Sequence, residues 1–238
     1  MGCSAPEIYK HQAGIAWMLK DKNETAKMVR SVADQVQSYN SQHENKKRLS
    51  VKLRLGNDDF TDELFLSFCD MLVDEGVELL TLHPRTKKEK LTRPPRYEYC
   101  QKIAERYKNQ KVKVYLNGKV SDWNSFNDAL VKAPDVDGVM ISTAAVQKPW
   151  IFAQLKQLAL EPVNMEELSL QCIEDIEQFQ PPEFWKTRLQ RFFTYFSKNF
   201  KFSHYAQTQF LNAQDNEDLR KRISDFFYKC PDERIKKL

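Results

Sequence analysis

From Leu49 to Leu55 apolar and polar positions alternate without a break: Leu49, Val51, Leu53 and Leu55 fall on one face, Ser50, Lys52 and Arg54 on the other. A period of two predicts a strand with one buried face, ended by Gly56-Asn57-Asp58-Asp59. The period then changes. Leu64, Phe65, Phe68, Leu72 and Val73 recur at three-and-four spacing, which predicts a helix with one buried stripe, closed by Gly76. The alternation is expected to return as strand Val77 to His83 with a helix within Tyr97 to Lys108, strand Val112 to Leu116 with helix Ser125 to Lys132, and strand Gly138 to Ile141 with helix Trp150 to Leu160. Strand-helix units in succession, with short connections, imply a parallel sheet covered by helices, as in a (β/α) barrel or an open doubly wound sheet. Four such units are half of a barrel; a whole one takes about 250 residues and does not fit in 238 with anything appended.

The flanks differ in character. Upstream, Met28, Val29, Val32 and Val36 mark one side of a helix expected from about Glu24 to Gln37, capped by Asn23. Ahead of it Gly2 to Pro6 is a small-residue turn of the kind that leaves the end of a strand. Downstream, Pro162 and the acidic run Glu166 to Glu177 predict a connecting helix, and Gln180-Pro181-Pro182 interrupts the chain again. From Glu183 onward twelve Lys or Arg stand against seven Asp or Glu. That stretch is also dense in aromatics, and the spacing of Phe192, Phe193 and Phe196 predicts the core of a small helical bundle.

The net charge of +4 is modest, so the basic tail matters more than the total. No apolar run approaches the roughly 18 residues that span a bilayer, which argues against a membrane protein. The five cysteines, Cys3, Cys69, Cys100, Cys172 and Cys230, are too scattered for a zinc pattern or a disulfide framework. No metal is expected, and a reducing, cytoplasmic location is the natural reading. Pro6 stands where an N-myristoylation signal wants Ser or Thr, and residues 7–30 are too charged for a signal peptide.

In a parallel barrel the working groups sit at the C-terminal ends of strands. Here those positions hold Lys52 and Arg54, then His83-Pro84-Arg85-Thr86, then Asn117-Gly118-Lys119, then Ser142-Thr143. Each has an ordinary structural explanation: a solvated strand face, a hydrogen-bonded histidine, a turn, a helix cap. Cys3 alone would more often be inert than reactive. Recurrence at one topological position in consecutive units is what those explanations miss.

Gly2-Cys3-Ser4-Ala5-Pro6 with Ala13-Gly14-Ile15-Ala16 resembles the signature of the tRNA-dihydrouridine synthase family, an Asn-x-Gly-Cys-Pro followed by a Gly and small residues. Val51-Lys52-Leu53-Arg54-Leu55-Gly56 is similar to its V-K-x-R-x-G strand, Thr81 to Thr86 to its H-x-R-T turn, and Leu116-Asn117-Gly118 to its phosphate loop. Asp137 to Ile141 and Lys148-Pro149-Trp150-Ile151-Phe152 resemble the D-G-V-M strand and the N-P-W-x-F helix start. The chain departs from the pattern in three places: Ser4 and Ala5 are inserted after Cys3, Lys119 replaces an Asp, and Ser142-Thr143 replaces a Gly-Arg pair that contacts the flavin phosphate. Hydroxyl and backbone donors would then serve the phosphate, with Lys119 restoring the charge.

The resemblance implies the second half of a (β/α)₈ TIM-type barrel, followed by a small all-α helical domain. Residues 1–160 would form the partial FMN-binding catalytic domain and 161–238 the tRNA-binding domain. It implies reduction of uridine C5–C6 in tRNA, with NADPH reducing FMN, hydride passing to C6, and Cys3 protonating C5. Lys52, His83, Asn117, Gly118, Lys119, Ser142 and Thr143 would hold the cofactor; Arg54, Arg85, Lys186, Arg188 and Arg191 would contact the tRNA. The rival expectation is a catalytically inactive RNA-binding remnant that needs the missing N-terminal barrel half, the break falling inside the Asn-x-Gly-Cys motif. A flavin-dependent barrel acting on a small molecule is disfavoured by the basic tail.

Overall fold

The computed structural model describes residues 6–57, 60–89 and 92–238. The chain divides into two compact units. The first runs to Val120 and takes in Asn124–Ile141; the second holds Ser121–Trp123 and Ser142–Leu238.

In the first unit, α1 (Pro6–Lys10), α2 (Gly14–Lys20) and α3 (Lys22–Gln42) precede β1 (Ser50–Gly56). Then follow α4 (Asp62–Asp74), β2 (Leu79–Thr86), α5 (Glu98–Tyr107), β3 (Lys113–Asn117), α6 (Trp123–Lys132) and β4 (Gly138–Met140). The four strands form one parallel sheet in the order β1-β2-β3-β4. Its register sets Leu53 beside Leu82 and Leu82 beside Leu116, so the apolar positions of neighbouring strands share a face. That face is buried: Leu53, Leu55, Leu80, Leu82 and Leu116 are inaccessible. Helix α4, capped by the Thr61 side chain accepting from Leu64 N–H, contributes Phe65, Phe68 and Leu72 to the core. Helix α2 approaches β1 so closely that a Cβ on Gly56 would lie 2.5 Å from Leu19 Cδ1, and Gly56 itself has φ +104. Only glycine meets both demands.

Three expectations change. Helix α3 starts earlier and runs longer than its stripe suggested, because Asp21, not Asn23, accepts from Glu24 N–H. Of the stripe only Val29 is fully buried, while Met28 and Val32 stay exposed. Strand β2 does not stop at His83 but carries the His-Pro-Arg-Thr segment to its end. Finally, the helix expected over Trp150 to Leu160 is shorter, α8 (Ile151–Leu155), and an unexpected short helix, α7 (Thr143–Gln147), precedes it on the other side of Pro149. Both pack in the second unit, so the units part at Ile141 and Ser142.

The second unit continues through β5 (Val163–Asn164), α9 (Met165–Phe179), α10 (Pro182–Phe196), α11 (Ser203–Leu211), α12 (Asn216–Lys229) and β6 (Ile235–Lys236). Phe193, Phe196, Phe200, Phe210, Phe226 and Phe227 form its core with Trp150, Leu189 and Ile223. Their rings meet largely edge to face, as in Phe193–Phe210 at 5.0 Å and Phe210–Phe226 at 5.6 Å, the arrangement that ring quadrupoles favour. The antiparallel β5–β6 pair was invisible in the sequence, since two residues a side carry no period. Among the described residues no helix is long and apolar enough to cross a membrane.

Candidate active site

The parallel register that buries the leucines also gathers the polar residues. Lys52 pairs with Thr81 and Thr81 with Tyr115, while Arg54 pairs with His83 and Asn117 with Met140, all on the face opposite the leucines. Lys52 is exposed and Arg54 half-buried; His83, Arg85 and Asn117 are buried. The register then slips: Arg54 pairs with His83 but Gly56 with Thr86, so β2 holds one extra residue there. A bulge of this kind accommodates Pro84, which has no N–H to give the ladder, and turns Arg85 back toward His83.

Arg85 Nη1 lies 2.8 Å from His83 Nε2, and Arg85 Nε donates to the Arg93 carbonyl at 2.8 Å. Asn117 Nδ2 donates to the Met140 carbonyl at 2.7 Å, which ties the end of β3 to β4. The Gly118 carbonyl accepts from the buried Tyr97 hydroxyl. Gly118 has φ +122, and a Cβ there would lie 2.8 Å from His83 Cδ2. Backbone and imidazole therefore touch. Lys119 follows in the left-handed region at φ +55.

No carboxylate forms an ion pair with Lys52, Arg54 or Arg85 among the described residues, and only Glu89 acts on Arg85 from farther off, so positive charge is in excess on the polar face. The electrostatic consequences are consistent. Partial desolvation, and Arg54 beside it, hold the Lys52 ammonium below its usual range. Burial, then Arg54, Arg85 and Lys52, push His83 down to about 4. Burial lowers Arg85 and raises Tyr97 to about 12. Such a surface suits an anion.

The remaining predicted residues lie elsewhere or beyond view. Ser142 occupies the N-cap position of α7 without a side-chain capping bond, and Thr143 is its first residue; both are exposed, in the second unit. Lys186, Arg188 and Arg191 are exposed on α10 of that unit. Cys3 lies outside the described residues. Arg85, expected to meet substrate, is only 2% exposed and engaged with its own strand. Tyr97, which anchors the Gly118 loop, was missed because an aromatic at a helix start carries no functional signal. No cluster of three or more metal-ligating side chains occurs among the described residues.

Comparison with known proteins decides the family. The family model for dihydrouridine synthase (Dus) matches residues 1–229. The chain belongs to the dihydrouridine synthase family. A probable tRNA-dihydrouridine synthase of Helicobacter pylori (strain ATCC 700392 / 26695) is 29% identical over 180 residues, covering 75% of this chain and 50% of that protein. One from Aquifex aeolicus is 23% identical over 227 residues, 94% of this chain and 67% of the relative. A Xenopus laevis protein named tRNA-dihydrouridine(47) synthase [NAD(P)(+)]-like is 31% identical over 162 residues, 66% of this chain and 22% of its own length. The chain thus spans half the length of the Helicobacter relative.

The depressed His83 has a measurable effect in this Dus-family chain. Its folded value of about 4 lies below the unfolded value of about 6.5, so between them the unfolded state binds more protons. The His83 contribution to stability is therefore complete above about pH 6.5 and lost as pH falls toward 4, by at most ~3 kcal/mol. Urea unfolding over that range should show the loss, and His83→Gln should flatten it. Identical pH profiles for the two proteins would refute the assignment.

Proposed function

We propose that this chain provides the catalytic face and the RNA-binding helices of a flavin-dependent tRNA-dihydrouridine synthase. The observation that carries the reading is the convergence of Arg54, His83, Asn117 and Gly118 toward the C-terminal ends of adjacent parallel strands, with Lys52 one step below on the same face. Strand ends of this kind are where (β/α) barrels work, and the sheet is read as the second half of such a barrel.

The residues present fit FMN. Buried Arg85 Nη2 has no hydrogen-bond partner among the described residues, and the absence of a Cβ at Gly118 lets the loop after β3 lie against His83, where backbone N–H groups could meet a phosphate. Asn117, Gly118 and Lys119 would hold the phosphate, and His83 would hold the cofactor by a hydrogen bond. Lys52 supplies the cation that negative charge on the ring requires. The chemistry supplied by bound FMN is hydride transfer, from NADPH to the ring and from the ring to C6 of the uracil. Cys3 would give its thiol proton to C5. An ordinary thiol, with pKa about 8.5, carries that proton at neutral pH. Arg54 meets the substrate base or a neighbouring phosphate once the uridine has left its stack.

The helical unit supports tRNA binding through one face of α10. Phe184, Arg188, Arg191 and Tyr195, continued by Lys198, recur at spacings of three and four and so line a single stripe. Arg188 stands 6.0 Å over Phe184 and Lys198 5.4 Å over Tyr195; among the described residues neither these cations nor Arg191 has a carboxylate partner. Arg220 and Arg222 of α12 are different. The first is held by Glu177 and Glu217, the second by Asp218, which makes them structural. Binding should weaken steeply with salt, and Arg188→Gln with Arg191→Gln should lower the salt slope by about one per lost phosphate contact. Arg220→Gln should leave that slope alone. A salt-independent affinity of the full chain for tRNA would end the proposal.

A second component is favoured by the outer edge of β1. There Met28, Val32, Leu49 and Val51 line an open cavity of about 170 Å³ beside unpaired strand backbone. Strands completing the barrel would cover it. Flavin binding by this chain alone is expected to be weak or absent, and restored when strands completing the barrel are supplied. A stoichiometrically yellow preparation of the isolated chain would contradict this. In the completed enzyme Cys3→Ala should spare flavin binding and its reduction by NADPH while lowering dihydrouridine formation by ~10² or more. Lys52→Ala should instead disturb the flavin. Normal tRNA turnover by the Cys3 variant removes Cys3 from the mechanism.

A further inference from the structure

Arg85 carries the largest charge buried on the polar face, and its geometry constrains a neighbour. A guanidinium has five N–H donors, no acceptor, and stays protonated at any pH a protein survives. The His83 nitrogen 2.8 Å from Arg85 Nη1 must therefore present a lone pair. With Nε2 accepting, the ring proton sits on Nδ1. A second proton on Nε2 would set donor against donor and cation against cation at contact distance. The groups facing the ring from the packed elements are Lys52 and Arg54 of β1, Arg85 of β2 and the Gly118 backbone after β3. None is a carboxylate that would stabilise an imidazolium.

We propose that Arg85 is a positioning residue that fixes His83 as the neutral Nδ1–H tautomer, so that His83 meets its ligand as a hydrogen-bond donor and never as a cation or an acid. Arg85 is itself fixed, by Nε donating to the Arg93 carbonyl and by burial of the whole side chain. The Gly118 backbone packs against the Cδ2–Nε2 edge of the ring, the same edge that Arg85 meets. Burial and the three cations, which depress the ring to about 4, act in the same direction. The proposal deepens the reading of His83 as a cofactor-holding residue and rests on that reading only for the ligand's identity. It also assigns the proton for C5 to a group other than His83.

Tautomers are read directly from ring-nitrogen shifts in the full chain labelled with ¹⁵N-histidine. Its four histidines are His11, His43, His83 and His204, and His83→Gln identifies the ring of interest. The expected wild-type signature is a protonated Nδ1 and a lone pair on Nε2, unchanged from pH 8 down to about 5. Arg85→Met should release the tautomer and move the titration midpoint upward toward the ordinary value of about 6.5. Arg85→Gln keeps a neutral donor against Nε2. It should restore the tautomer while only partly restoring the low midpoint, a separation that a purely structural role would not give.

A wild-type ring protonated on Nε2, or titrating near 6.5, overturns the proposal, as does an Arg85→Met ring that behaves like wild type. If Arg85→Met does not fold, the wild-type tautomer and Arg85→Gln still decide. The measurement needs neither flavin nor tRNA. Its failure would leave the proposed enzyme function standing, and an inactive enzyme would leave the tautomer assignment untouched.

Discussion

Parallel register is the constraint on which the first unit depends. Pairing Leu53 with Leu82 and Leu82 with Leu116 stacks the apolar positions into one dry face, and the same pairing necessarily sets Lys52 beside Thr81 and Arg54 beside His83. Hydrophobic burial and the gathering of charge are thus one event. A slip of a single residue would exchange the faces, exposing leucines and burying lysine, at a cost far above the few kcal/mol by which a domain is stable. The cation cluster needs no stabilisation of its own, because the leucine face holds it in place.

Uncompensated positive charge is an unusual use of such a surface. Several cations elsewhere in this unit are paired: Arg30 with Glu75, Lys102 with Asp62, Arg106 with Asp70, Lys113 with Asp137. Those pairs are on helices and strand ends facing water, where each is worth little. What sets Lys52, Arg54 and Arg85 apart is that three cations without an ion-pair partner among the described residues lie on adjacent strands. In the second unit a contrast separates α12, whose arginines are paired, from α10, whose arginines have no ion-pair partner among the described residues.

Most of this architecture was legible in the sequence, for identifiable reasons. The alternation from Leu49 to Leu55 and the three-and-four spacing from Leu64 to Val73 are long enough to carry a period, and both elements form with small changes at their ends. What failed to register was tertiary. The exposure of Met28 and Val32 on α3 depends on what covers the helix, which periodicity does not report. The continuation of β2 through Pro84 depends on a bulge, and a proline alone argues for a stop. At the site, Lys52, His83 and Asn117-Gly118 were readable as polar residues at strand ends. The inward fold of Arg85 and the anchoring of Gly118 by Tyr97 were not, because each rests on a contact between segments.

The short β5–β6 ribbon has a bearing on how the helical unit comes together. Asn164 pairs with Ile235, Met165 N–H donates to the Arg234 carbonyl at 2.8 Å, and Arg234 Nε lies 2.7 Å from Glu166. These contacts join segments some seventy residues apart, and closing a flexible loop of that length costs about 4 kcal/mol of chain entropy. Two residues of ladder cannot meet that cost, so the ribbon forms only after the phenylalanine core has already brought α9 and α12 side by side. The order of assembly runs from ring packing to strand pairing, and the ribbon acts as a late latch on a bundle that local helical contacts have largely built.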